Sequence, residues 1–179
     1  MSWMPHVTVA TVIEHDGRFL LVEEESKTCS HLVINQPAGH VEAGETLIEA
    51  AIRETLEETG WTVRPTYLLG IYTYSPPATP DATYYRMCFL AEALQHHPEL
   101  PLDDGIHQAL WLTRDQLEDT GRMRSPLVLR CIDDMLQGRR YPLDLIFEQP
   151  LLMPRSMPSL STDPSVIVAD TQSSDSWNV

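Results

Sequence analysis

Hydrophobic and polar positions change period several times along the chain, and the changes mark its elements. Residues 6–13 carry Val7, Val9, Val12 and Ile13 among Thr8 and Thr11, a strand pattern built from residues that suit a pleated, half-buried surface. Asp16-Gly17 follows, where a positive φ is cheap, and residues 18–23 contain the apolar run Phe19-Leu20-Leu21-Val22. Two such runs flanking Asp-Gly predict a β-hairpin. Residues 23–29 are polar and predict a loop. Leu32-Val33-Ile34 is a short apolar patch, and Asn35-Gln36-Pro37-Ala38-Gly39 is a turn-rich segment after it. Gly39 reads as a position where backbone comes close to another group or takes an unusual φ. The period then lengthens. Thr46 with Glu49 three residues on is a capping-box signature. Leu47, Ile48, Ala51, Ile52, Thr55 and Leu56 fall on one arc of the resulting helix, and Gly60 stands where a left-handed C-cap is expected.

Residues 67–74 read as a strand, residues 75–81 with Pro76, Pro77 and Pro80 as a loop, and residues 83–94 as the returning strand. Turn residues and acids fill 95–105, and 109–112 looks like a last short strand. Thr113 opens a short helix through 118. Ser125-Pro126 opens a longer one through 137, with Ser at the N-cap and Pro first in the helix, and Gly138 ends it. Strands before, between and after helices predict a mixed sheet flanked by helices, an α/β (α+β) fold. After Phe147 the chain turns to Pro, Ser and Asp with only Val166-Ile167-Val168 apolar. Residues 1–148 therefore read as one folded domain, and 149–179 as a disordered or loosely docked tail.

Composition narrows the partners. The chain has 179 residues, 42% of them hydrophobic, enough for one domain with a sizeable core. Its net charge of −14 opposes binding to a nucleic-acid polymer, which needs Lys and Arg to replace counterions. A small polyphosphate stays admissible if a metal supplies the local positive charge. Cys29, Cys88 and Cys131 have no metal-like spacing and read as reduced thiols, which fits a cytoplasmic location. No stretch approaches a membrane span in length.

The candidate chemistry lies between Gly39 and Trp61: Gly39, five residues, Glu45, seven residues, Arg53-Glu54, two residues, Glu57-Glu58, one residue, Gly60. At about 100° per residue, Glu54, Glu57 and Glu58 share one helix face. Three carboxylates so crowded repel one another, whereas Mg²⁺ (with Mn²⁺ as a substitute) takes oxygen ligands of this kind together with waters and phosphates. Glu57 or Glu58 would serve instead as the base for a water. Arg53 is too far round the helix for the metal face and reads as an orienting partner of Glu45 or Glu57, or as a surface pair with Glu49 or Glu57.

This spacing resembles the Nudix box, G-x5-E-x7-R-E-U-x-E-E-x-G-U, where U is bulky and apolar. Every fixed letter is present; Thr55 and Trp61 are the departures at U positions. The resemblance implies a Nudix-type α/β/α sandwich, a catalytic role for Glu57, Glu58 and Arg53, metal ligation by Glu54, Glu57 and Glu58, and a further ligand from the Gly39 carbonyl. It also suggests that an extra acid or base comes from a loop, for which Asp103, Asp104 and His107 are candidates against a plain solvated loop. His6 and His40 are candidates to touch phosphate, Tyr72, Tyr74 and Tyr85 to stack on a base, and Gln36 to read substrate, each against a structural alternative.

Short strings at both ends of the folded part are similar to one bacterial branch of the family, the NudJ-type phosphatases: Pro5-His6-Val7-Thr8-Val9-Ala10, Asn35-Gln36-Pro37-Ala38-Gly39-His40, Arg124-Ser125-Pro126-Leu127-Val128 and Arg140-Tyr141-Pro142-Leu143. That likeness implies Mg²⁺-dependent hydrolysis of nucleoside tri- and diphosphates with release of orthophosphate, and action on the hydroxymethylpyrimidine pyrophosphate that precedes thiamine. The alternatives are a pyrophosphohydrolase releasing pyrophosphate, a non-catalytic nucleotide sensor, and a metal-free acidic interaction module. The expected partner is a small nucleotide or pyrimidine pyrophosphate, with no membrane, and monomer and homodimer both stay open.

Overall fold

The computed structural model describes residue 3 and residues 5–26, 30–79 and 81–148. The expectations for Cys29, for Pro80 and for the tail 149–179 lie outside these residues. The chain divides into units Met1–Glu148 and Gln149–Val179, and everything below concerns the first.

Among the described residues, seven strands and three α-helices follow in the order β1 (His6–His15), β2 (Arg18–Glu24), β3 (Val33–Asn35), β4 (Ala38–His40), α1 (Leu47–Thr59), β5 (Trp61–Tyr74), β6 (Tyr84–His96), β7 (Ile106–Leu112), α2 (Arg114–Thr120) and α3 (Leu127–Leu136). The sheet is mixed: its main path runs β3-β2-β1-β6-β5, with β4 paired to β1 and β7 to β2. The central pair β1 and β6 is parallel, and the other strand pairs are antiparallel. Both faces are covered, because successive side chains on a strand point opposite ways. Val9, Leu68 and Phe89 pack with Ala50 and Ala51 of α1. Their neighbours Ala10, Leu69, Cys88 and Leu90 pack with Val128, Cys131 and Ile132 of α3 and Leu117 of α2. The three-layer α/β/α arrangement follows from that alternation.

Strand ends differ from the pattern reading in one informative place. β5 begins at Trp61, directly after the helix cap, not at residue 67. Arg64-Pro65 masks it in the sequence, since a proline cannot donate to a ladder. The fold accommodates Pro65 because β5 is the last strand of the sheet path and its register shifts between Pro65 and Tyr67.

Helix signals are met locally. Thr46 Oγ1 accepts from the Glu49 amide at 3.1 Å while the Glu49 carboxylate accepts from the Thr46 amide at 2.8 Å. Gly60 closes α1 in the left-handed region, φ 69°. At α3 the assigned helix begins one residue later than expected, but Ser125 Oγ still accepts from the Leu127 amide at 3.3 Å and Pro126 already has helical dihedrals. The departures at apolar box positions are also explained. Thr55 is fully buried, and its hydroxyl pairs with Thr11 Oγ1 at 2.8 Å and with the Ala51 carbonyl at 2.7 Å. Trp61 stacks on His96, ring centroids 4.8 Å apart, and meets Trp111 edge-on at 6.0 Å.

α3 is tied to the sheet through Asp134, a carboxylate only 2% exposed. It accepts from Tyr72 Oη at 3.0 Å and Arg130 Nε at 2.9 Å, and Arg139 Nε lies 3.3 Å away. Burial raises its pKa, but the bonds from Arg130 and Tyr72 outweigh burial and hold it below the usual carboxylate range. A depressed pKa stabilises the fold above the unfolded value, about 3.9, and that contribution is lost as pH falls through the folded value. Asp134→Asn is expected to cost about 1–3 kcal/mol near neutrality. Thermal unfolding of both proteins from about pH 7 down to about pH 3 should show the gap closing below about pH 4.

Candidate active site

The site is made where the short strand β4 crosses the outer half of α1. β4 is held antiparallel to β1 by the register Val9↔Gly39 and Ala10↔Ala38, which sets its backbone directly over the helix. A Cβ placed on Gly39 would lie 2.1 Å from the Glu54 carboxyl carbon and 2.1–2.2 Å from both its oxygens. Glycine is required there by close approach, since no positive φ occurs at this position. One residue earlier, the Ala38 amide donates to Glu58 Oε2 at 2.9 Å.

The three box glutamates therefore have unequal surroundings. Glu54 and Glu58 are buried, 8% and 7% exposed, whereas Glu57 is exposed. Burial pushes the Glu58 carboxyl up to about 9; the Ala38 amide opposes this, and the charges of Glu24, Glu54 and Asp103 add to it. Burial likewise raises Glu54 against the pull of Arg53. Glu24, at the end of β2, is raised by burial despite Arg124 at 3.1 Å, and its Oε1 is buried without a hydrogen-bond partner. These are carboxylates whose charge the protein itself leaves undercompensated.

Arg53 ties the ridge together. It grips Glu45 with two bonds, Nε to Oε2 at 2.9 Å and Nη2 to Oε1 at 2.6 Å. Its Nη1 donates to Glu54 Oε1 and to Glu57 Oε2, each at 2.9 Å, and Nη2 donates to the His40 carbonyl at 3.0 Å. Arg53 thus contacts Glu45 and also forms the i,i+4 pair with Glu57, whereas Glu49 is spent in the capping box. Glu45 precedes the N-cap; it also accepts from the Glu42 amide at 2.6 Å, and its pKa is lowered chiefly by Arg53.

The remaining candidates separate. Asp103 reaches the site: its amide donates to the Glu57 carbonyl at 2.9 Å and its charge is felt by Glu54 and Glu58. His107 does not, lying 3.5 Å from Glu25. Gln36 is 1% exposed and its Nε2 donates to the Val128 carbonyl at 2.7 Å, so in this geometry it props α3 against the sheet instead of facing a substrate. His40 is exposed beside the ridge, its Nε2 3.1 Å from His6 Nδ1. Tyr74 is half-buried and pairs across the ladder with Tyr84. Tyr72 is bound to Asp134 under α3, and Tyr85 meets Trp3 edge-on at 6.4 Å.

Glu24 carries no signal of its own in the sequence. Glu24 stands in an ordinary acidic run, Glu23-Glu24-Glu25, and comes within electrostatic reach of Glu58 only in the folded chain. Among the described residues no three His, Cys, Asp or Glu side chains converge as a finished metal cage. An open ridge of oxygen donors suits a hard divalent cation that keeps waters and substrate phosphates in its shell, and the undercompensated Glu24, Glu54 and Glu58 fit such an ion.

Comparison with known proteins agrees with this geometry. The NUDIX domain model matches residues 4–130. The chain is 41% identical to phosphatase NudJ of Escherichia coli O1:K1 over 143 residues, 79% of this chain and 90% of the relative, and equally to phosphatase NudJ of Shigella flexneri. A NUDIX hydrolase structure from Nitrosomonas europaea is 42% identical, with a TM-score of 0.78, covering 82% of this chain and 99% of its own. A MutT NUDIX hydrolase from Burkholderia pseudomallei, 22% identical with a TM-score of 0.62, covering 73% of this chain and 98% of its own, shares the fold. With a glycine strand pressed on a carboxylate helix and most of its length matched, the chain belongs to the Nudix hydrolases, enzymes that act on phosphorus-containing anhydrides.

Proposed function

We propose that the chain is a Mg²⁺-dependent hydrolase of phosphoanhydride bonds in nucleoside tri- and diphosphates, releasing orthophosphate, with hydroxymethylpyrimidine pyrophosphate as a further substrate. The observation that carries this reading is the pair of buried, charge-undercompensated carboxylates Glu54 and Glu58 beneath Gly39 and Ala38. Nudix hydrolases generally use divalent metal ions, and the likeness to phosphatase NudJ supports orthophosphate as the product. None of the box carboxylates is missing, which argues against a non-catalytic sensor.

Glu54, Glu57 and Glu58 would hold the ion. When bound, it would neutralise charge on the non-bridging phosphate oxygens and make a water more acidic. The chain's own part is orientation and proton transfer. Arg53 fixes Glu54 and Glu57 from one side while Glu45 fixes Arg53. Glu57 or Glu58 takes the proton of the attacking water: Glu57 stands open to solvent, and burial makes the Glu58 carboxylate more basic than an ordinary one. Because the flank bearing Asp103 is also acidic, negative substrates are acceptable only with the cation in place.

Three outcomes test the reading. Glu57→Gln is expected to lower turnover by about two to four orders of magnitude with unchanged circular dichroism, since the side chain is exposed; normal turnover would remove Glu57 from the chemistry. Gly39→Ala must displace the Glu54 carboxylate and is expected to weaken Mg²⁺ affinity by about tenfold or more in a metal titration. GTP incubated with Mg²⁺ is expected to yield orthophosphate, and none after chelation with EDTA; pyrophosphate as the product would make the chain a nucleotide pyrophosphohydrolase.

A further inference from the structure

The outer edge of β5 carries a groove in which the carboxylate ridge has no part. β5 ends the sheet path, and on its outer side Leu68 is bridged to Tyr141 by amide–carbonyl bonds of 2.9 Å in each direction. Beyond that bridge, residues 70–74 have no strand beside them among the described residues. An unpaired edge is a template for another extended chain, and proteins usually blunt it with charge, proline or a bulge. Pro65 and the register shifts up to Gly70 guard the first half of β5. The second half is unguarded. From Thr66 to Ser75 there is neither a charged residue nor a proline, and the register with β6 is regular from Gly70 to Tyr74.

A groove of about 380 Å³ runs along this edge. Gly70 leaves bare backbone in its floor, as glycine does where another main chain comes close. Apolar side chains border it and stay in water: Ile71 is 65% exposed, Leu145 63% and Tyr141 47%. Arg130 and Arg139 supply its polar wall. Each approaches the buried Asp134 carboxylate through Nε, at 2.9 and 3.3 Å, and that carboxylate also accepts from Tyr72. One acid therefore serves two guanidiniums, whose Nη groups keep donors for a further carboxylate. Arg140 adds a third positive charge, 5.8 Å from the Tyr67 ring centre. In a chain of net charge −14 this is a positive patch next to apolar surface.

We infer that the β5 edge docks an extended acidic segment of a partner protein, which adds as an outer strand along residues 70–74 and places carboxylates on Arg130 and Arg139. Successive side chains of such a strand point to opposite faces, as Ile71 and Tyr72 do on β5. One face of the incoming strand meets Ile71 and the other meets the arginines beside Tyr72, so the segment alternates apolar with acidic residues. A second copy of this chain fits less well, because a two-fold contact sets a surface against itself and would oppose arginine to arginine.

The test is fluorescence anisotropy of labelled peptides with the full chain: one alternating valine with glutamate, and a counterpart with lysine for glutamate. The glutamate peptide is expected to bind at least about tenfold more tightly, to lose about tenfold in affinity on Arg139→Gln and on Ile71→Ser, and to protect the amides of residues 70–74 from hydrogen exchange. Arg139 also contacts Asp134, so Ile71→Ser, at an exposed position, decides the matter if the first variant does not fold. Binding of neither peptide, equal binding of both, binding unchanged in Ile71→Ser, or protection elsewhere than residues 70–74 would overturn the inference. So would self-association of the full chain in place of peptide binding, abolished by Ile71→Ser, which would give this edge to a second copy.

Discussion

The close approach of β4 to α1 is the constraint on which the site depends. A two-residue stretch of backbone, Ala38 and Gly39, is laid over a helix at a distance that no side chain at Gly39 would allow. It shields Glu54 and Glu58 from water and offers them a single amide in return, from Ala38 to Glu58. Desolvated carboxylates with so little compensation are unfavourable to the apo fold, and that cost is what a bound cation would relieve. Stability and chemistry are therefore opposed at this point, as is common where a site is built to receive charge.

The rest of the domain counterbalances that local repulsion. Arg53 distributes its donors among Glu45, Glu54, Glu57 and the His40 carbonyl, so one cation braces helix, loop and strand together. The capping box at Thr46 and Glu49 and the left-handed Gly60 close both ends of α1. Its apolar side rests on Val9, Leu68 and Phe89. On the opposite face Asp134 performs a comparable bracing role for α3, through Tyr72, Arg130 and Arg139, well away from the ridge. Buried hydroxyls of this core are paired as well, Thr11 with Thr55.

Two layers of the molecule meet at His40. On one side its carbonyl holds Arg53; on the other its ring meets His6 edge-on. No helix among the described residues is long and apolar enough to cross a membrane, and the acidic ridge faces solvent through Glu57.

Local sequence determined the elements whose signals are carried by neighbours in the chain. The hairpin at Asp16-Gly17, the capping box at Thr46, the cap at Gly60 and the box glutamates with Arg53 are all legible because each depends on residues within a turn or two. The tertiary structure decided what depends on pairing between distant strands. It sank Glu54 and Glu58 while leaving Glu57 in water, drew Glu24 and Asp103 to the helix, and turned Gln36 inward to Val128. It also set Tyr74, Tyr84 and His6 opposite one another on three strands. The physical reason is the same throughout: a helical face or a turn is fixed by short-range geometry, whereas burial and register are set by which strands come to lie side by side.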